Sequence, residues 1–140
     1  MGKEVATRWK VVVNNVNLSG WAFDVSGADE REKIDVSGFT GYKEFVPGTR
    51  EQTVTVSFVN DRAAGGPHAT LLPLYQQGTT FPFYVQPHSD LGTSSTNPLF
   101  GGTASLYSFP FGATLNEREE MEIEFAPATN STFEWGTVAP

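Results

Sequence analysis

Gln52-Thr53-Val54-Thr55-Val56-Ser57-Phe58-Val59-Asn60 is the stretch on which the reading of this chain turns. Val54, Val56 and Phe58 fall on one side of the alternation, and Thr53, Thr55 and Ser57 on the other. That period of two marks a strand with one buried and one polar face. The same alternation returns at 119–125, with Met121, Ile123 and Phe125 on the inward side and Glu120, Glu122 and Glu124 on the outward side. Upstream, 31–39 sets Ile34 and Val36 on one face against Lys33, Asp35 and Ser37 on the other. A polar loop at 27–30 separates it from an earlier strand at 16–25, where Trp21, Phe23 and Val25 share a face. Leu18 is out of phase with them, and Ser19-Gly20 is the expected place for a bulge that repairs the register. A first strand at 9–13 ends in Asn14-Asn15, residues that tolerate the positive φ of a tight hairpin turn.

Between the strands at 31–39 and 52–60, the segment 38–51 contains Gly41, Pro47 and Gly48 and reads as a long loop or a protruding hairpin. One helix is expected at Pro67-His68-Ala69-Thr70-Leu71-Leu72-Pro73-Leu74-Tyr75-Gln76-Gln77, opened by Pro67 and closed by Gly78. Pro73 inside it predicts a short or kinked helix. Phe81, Phe83 and Val85 line one face of a strand at 79–87, where Pro82 argues for an edge or a bulge. The segment 88–102, rich in Ser, Thr, Gly and Asn, reads as a loop of a length usually reserved for function. A strand at 103–111 would place Ser105, Tyr107, Phe109 and Phe111 together. The predicted fold class is mainly β: a β-sandwich or partly open barrel of about seven or eight strands with one short α-helix. One domain is expected over 1–140, with flexible ends at 1–8 and 126–140.

Composition agrees. A chain of 140 residues with 39% hydrophobic residues, 11 Phe and 3 Trp has the material for a core, and burying about two thirds of its unfolded surface is normal at this size. The absence of Cys excludes disulfides and thiolate metal sites. No stretch approaches the roughly 18 apolar residues a membrane helix needs. Residues 1–9 show no apolar run after their basic residues, which predicts a soluble intracellular product without a secretory signal. With a net charge of −7 and no cluster of Lys and Arg, tight binding of nucleic acid through its phosphates is not expected.

No catalytic constellation is legible. His68 and His88 are a whole strand apart and offer no metal-ligand spacing. His88-Ser89-Asp90 contains the residue types of a hydrolase triad, but neighbours in sequence cannot point at one another as a triad requires. Ala63-Ala64-Gly65-Gly66-Pro67 lacks the Gly-Lys-Ser/Thr ending of a phosphate loop. Glu120, Glu122 and Glu124 recur at about 6.7 Å along one strand face. They form a stripe of like charge rather than an acid and a base in contrasting surroundings. Such a stripe is a solvated face, or one turned toward a passing polyanion that must not stick. No enzyme activity, cofactor or metal is expected.

The order of these features resembles the tail tube proteins of long-tailed bacteriophages over roughly 18–125. The resemblance rests on the aromatic-bearing strand Leu18-Ser19-Gly20-Trp21-Ala22-Phe23-Asp24-Val25 and on Ile34-Asp35-Val36-Ser37-Gly38-Phe39 after a polar turn. It continues through the turn Pro47-Gly48-Thr49, the strand at 52–59, the short helix, and the Phe-rich strand Phe81-Pro82-Phe83-Tyr84-Val85. The resemblance implies a subunit of hexameric rings stacked into a hollow tube, joined to other tail proteins, through which DNA passes without specific binding. It further implies a place in the virion tail after synthesis in the host bacterial cytoplasm, and no membrane partner. In that setting Glu120, Glu122 and Glu124 are the candidate bore lining. Tyr42, Lys43, Phe45 and Pro47 on one long loop, and Leu91, Leu99 and Phe100 on the other, are the candidate contacts between subunits or rings. A second reading, from another class, is a carbohydrate-binding β-sandwich using exposed, coplanar rings among Trp9, Trp21, Tyr42, Tyr107 and Trp135. A third is another phage structural part, such as a tail terminator or head-decorating protein.

Overall fold

A computed structural model describes residues 9–38, 41, 44–87, 93, 97–110, 112–113 and 115–140. In chain order its elements are β1 (Lys10–Val13), β2 (Val16–Asn17), β3 (Ala22–Asp35), β4 (Phe45–Val59), α1 (Pro67–Gln77), β5 (Phe81–Gln86), β6 (Leu99–Ser105), β7 (Glu120–Pro127) and β8 (Glu134–Gly136). The strands pair antiparallel in the order β2-β1-β5-β6-β7-β4-β3, with β8 also on β6. The sheet is open, since β2 and β3 end the path unpaired with each other among the described residues. The mainly β architecture with one short helix is therefore as the alternation predicts.

The core forms where the inward sides of these strands meet. Val54, Val56 and Phe58 stand opposite Phe125, Ile123 and Met121, and all six are almost fully buried. Phe83 of β5 stacks on Phe125 at 4.1 Å between ring centroids, and Phe81 meets the same ring edge-on at 6.2 Å. Phe133 closes the stack from the far side, 5.8 Å from Phe83. The segment after β7, read as a tail, thus plugs the core with a fully buried ring. Beyond it β8 pairs with the start of β6, Leu99 opposite Gly136. Asn14 and Asn15 turn β1 into β2 at φ 49° and 65°, the positive angles their side chains make tolerable.

The structure revises or decides several sequence expectations. The polar segment 27–30 is not a loop: β3 runs unbroken through it, with Gly27 opposite Val54 and Glu30 opposite Glu51. Its residues are polar because the β3–β4 ribbon leaves the body there and both faces meet water. Of the two readings of 38–51, the protruding hairpin is the one its described residues fit, because β4 begins at Phe45, carries Pro47 and Gly48 within it and pairs with β3. Pro47 fits since, among the described residues, β4 has β3 as its only ladder partner at that level, leaving its other side outside the ladder. Finally, β6 spans Leu99–Ser105 rather than 103–111. Gly101 and Gly102 read as loop residues but are strand residues chosen for close approach. A Cβ on Gly101 would lie 2.6 Å from Tyr84 Cα, and one on Gly102 would lie 2.7 Å from the Thr132 carbonyl oxygen.

α1 is as predicted in extent, with Pro67 at its start and Gly78 at φ 65° capping its end. Gly78 N–H donates to the Tyr75 carbonyl at 3.3 Å. Leu71 and Leu74 face the core, and the helix continues through Pro73.

Candidate assembly surfaces

The outward side of β3, β4 and β7 carries the acidic stripe. Thr55 stands opposite Glu124 and Ser57 opposite Glu122 on one side of β4, while Ser26 and Asp24 take the matching positions on the other. Strand pairing therefore sets Asp24, Ser57 and Glu122 in one row and Ser26, Thr55 and Glu124 in the next. Glu122, Glu124 and Asp24 are exposed, and among the described residues no cation pairs with any of them. Glu120 differs: Arg118 Nε donates to it at 2.7 Å, and the Arg118 Cζ lies 4.5 Å from the centroid of the exposed Phe23 ring. The face is thus hydroxyl and carboxylate in character, with one bound guanidinium at its edge.

Immediately before β7, Glu119 is a structural carboxylate. Arg62 donates to both of its oxygens, at 2.6 and 2.8 Å, and Asn60 adds a bond at 3.0 Å. The Arg62 guanidinium, and after it the Asn60 amide, hold its pKa down at about 2. A depressed carboxylate contributes stability above its unfolded value and loses it as the pH falls through the folded one. A carboxyl-carbon NMR titration should therefore place the Glu119 midpoint near 2, and Arg62→Ala should raise it toward the ordinary glutamate value, the Asn60 bond still holding it somewhat below. A Glu119 midpoint already near 4 in the parent protein would contradict the pairing.

The second surface is the outer half of the β3–β4 ribbon. Ile34, opposite Val46, has 40% of its surface exposed and Val46 43%. Val36, on the same face as Ile34, is also exposed. On the reverse face Phe45 is exposed, with Lys33 Nζ 4.1 Å above its ring. The face that Ile34 and Val36 share is an apolar strip facing water, a pattern that sequence alone cannot separate from a core strand. A two-stranded ribbon of this kind has little stability of its own in water, and an apolar strip on it marks an interaction surface.

The remaining candidates fall in other places. Pro47 is exposed on the arm beside Phe45. Leu99 and Phe100, expected on a contact loop, are buried strand residues of β6, because β6 starts earlier than its glycines suggested. Tyr42, Lys43, Leu91 and the His88-Ser89-Asp90 triplet lie outside the described residues. His68 meets Phe109 edge-on at 5.6 Å, and no group of three metal-ligating side chains occurs among the described residues. No helix among them is long and apolar enough to cross a membrane.

The described rings considered for sugar stacking differ in exposure: Tyr107 and Trp135 are exposed. Trp9 and Trp21 are half-buried, and Trp21 Nε1 is engaged by Asp61 at 3.1 Å. Trp135 leans on Phe100 at 5.0 Å and 44°. It lines an apolar crevice of about 200 Å³ with Trp9, Val25, Val54 and Val85.

The fold as a whole is similar to those of chains from virions and tails. A chain in the virion of a native gene transfer agent particle superposes with a TM-score of 0.72 at 14% identity, covering 95% of this chain and 98% of that one. A chain in the tail of an empty gene transfer agent particle, of C6 symmetry, gives 0.65 at 16% identity, over 91% and 93% of the two chains. A chain of the SPP1 tail tube gives 0.73 at 13% identity, over 95% and 78%. No family model matches the chain, and no curated protein matches it by sequence.

Proposed function

We propose that this protein is the subunit of a bacteriophage-type tail tube: a structural virion protein, not an enzyme, that assembles with its own copies. Likeness to tail and virion chains along nearly the whole length, including one tail of C6 symmetry, carries this reading. Six copies form a ring, rings stack into a tube, and the tube joins other tail proteins. Glu120, Glu122 and Glu124 line the bore, where exposed carboxylates, of which Glu120 alone has a cation beside it among the described residues, keep DNA phosphates from binding, since binding needs cations. Synthesis takes place in the host bacterial cytoplasm.

The arm supports this reading from the chain's own physics. Its exposed strip of Ile34, Val36 and Val46 and the unpaired edges of the sheet occupy different parts of one surface. Contacts between unlike patches generate rings or filaments rather than closed pairs, and burying a long edge strand between copies removes an aggregation hazard. Pro47 and Phe45 at the outer arm, together with the neighbouring Tyr42 and Lys43, belong to these contacts, as does Leu91 on the other connection.

The test is sedimentation velocity across a concentration series. The parent protein should form large assemblies. Ile34→Asp combined with Val46→Asp should stay folded and weaken assembly by at least about a hundredfold, since two charges would enter an apolar contact. Equal assembly of parent and variant would remove the arm from the interface.

A further inference from the structure

The ladder that ties β4 to the body ends where Val54 meets Phe125. From Thr53 outward to Phe45, the only strand paired with β4 among the described residues is β3. Yet two side chains, Gln52 and Arg50, reach from this free stretch back to the C-terminal segment. Gln52 is almost fully buried; it donates to the Phe133 carbonyl at 2.7 Å and accepts from the Phe133 N–H at 2.8 Å. Arg50, two residues further out, uses its whole fork. Nη2 and Nε donate to the two carboxylate oxygens of Asp29 on β3 at 2.6 and 3.2 Å, and Nη1 donates to Glu134 Oε1 on β8 at 2.7 Å.

Just beyond Arg50 the ribbon has a bend. Arg31 stands opposite Arg50, but Lys33 stands opposite Pro47, so β4 carries one extra residue between the two rungs. Such a bulge bends its strand, and Arg31 Nη1 braces this one through the Gly48 carbonyl at 3.1 Å. The six residues from Phe45 to Arg50 make a lever of about 20 Å, so a tilt of about 15° at its root moves the tip by about 5 Å.

We infer that Arg50 is a positioning residue for assembly, fixing the direction of the β3–β4 arm by bridging Asp29 on the arm's root to Glu134 on the body. A planar fork with two anchors specifies an angle, which a point charge cannot do. Half-exposed ion pairs add little to folding stability, so the contribution of Arg50 lies in where the arm points. This consequence rests on the proposed tube reading, because only a partner copy gives the arm's direction a use. Asp29 and Arg31 on β3 and Glu134 on β8 are the charged groups facing Arg50. Bonds from Arg50 are the first cause that holds Asp29 and Glu134 below the usual carboxylate range. The joint is therefore complete above the unfolded carboxylate values and opens as the pH falls through the lowered ones.

The chain has no Cys, so Glu32→Cys on the arm and Tyr107→Cys on the body provide two unique spin-label sites. Pulsed electron–electron distance measurements at dilutions where the subunit is monomeric should give a narrow distribution at neutral pH. Arg50→Ala should broaden it at least about twofold, Arg50→Lys should restore it only in part, and the melting temperature should barely move. Glu134→Gln and Asp29→Asn each remove one anchor and serve if Arg50→Ala does not fold. An unchanged distribution in these variants overturns the inference, whatever assembly does. A broadened distribution with undiminished assembly upholds Arg50 as the joint and instead removes the arm from the assembly reading.

Discussion

Truncating Phe83 to alanine should cost about 3–5 kcal/mol of folding stability, the usual range for a buried phenylalanine. Its ring has no exposed surface and lies between Phe125 at 4.1 Å and Phe133 at 5.8 Å. It therefore joins β5 to β7 and to the segment leading into β8. Removing it leaves a cavity among aromatic rings that cannot collapse without shifting three strands. In a domain whose total stability is about 5–15 kcal/mol, the variant should be close to unfolding at room temperature. Urea titration followed by tryptophan fluorescence measures the loss as a lower midpoint at unchanged slope. Tyr107→Ala, at a ring that is 68% exposed, is the control and should stay within about 0.5 kcal/mol of the parent. A Phe83→Ala protein as stable as the parent would mean that the two sheet halves do not share this core.

Exchanging Glu120, Glu122 and Glu124 together for lysine should leave the fold intact and lower DNA delivery by at least about a hundredfold. All three side chains point to solvent from β7 while Met121, Ile123 and Phe125 hold the core. In a ring of six, the change would place eighteen new cations around the bore, each able to displace a counterion from DNA and hold a phosphate. Each exchange adds two positive charges, which takes the net charge of the subunit from −7 to −1. The triple glutamine variant is therefore needed to separate attraction from lost repulsion, and its effect should be much smaller. Infectivity of particles carrying the lysine variant, with normal tails by microscopy, is the measurement. Undiminished infectivity would move these residues out of the bore.

Much of the fold was legible because burial imposes period two. Val54, Val56 and Phe58, and Met121, Ile123 and Phe125, each identified a strand and its inward face. Asn14-Asn15 and the Pro67 to Gly78 span marked their turn and helix because those residues answer local backbone demands. The failures have equally physical causes. Residues 27–30 read as a loop because polarity on both faces looks the same in a loop and in a ribbon that has left the body. Gly101 and Gly102 read as breakers because close approach to Tyr84 and Thr132 is invisible without the partner strand. That Ile34 and Val36 face water was not legible, because an exposed apolar strip and a core strip share one pattern.

At the candidate surfaces the acidic stripe was legible and its partners were not. Which strands flank β7, and that Ser57 and Asp24 continue its row, depends on sheet order. Arg50 passed unnoticed since Glu134 lies 84 residues away in sequence, and only the path of the C-terminal segment across β6 brings them together.

Electron microscopy of the purified protein over a wide range of concentrations tests the central claim most directly. The account predicts hollow rings and short tubes whose end-on averages show six-fold symmetry and an open bore. A monomer throughout the range, or a closed two-fold dimer without a bore, would contradict it.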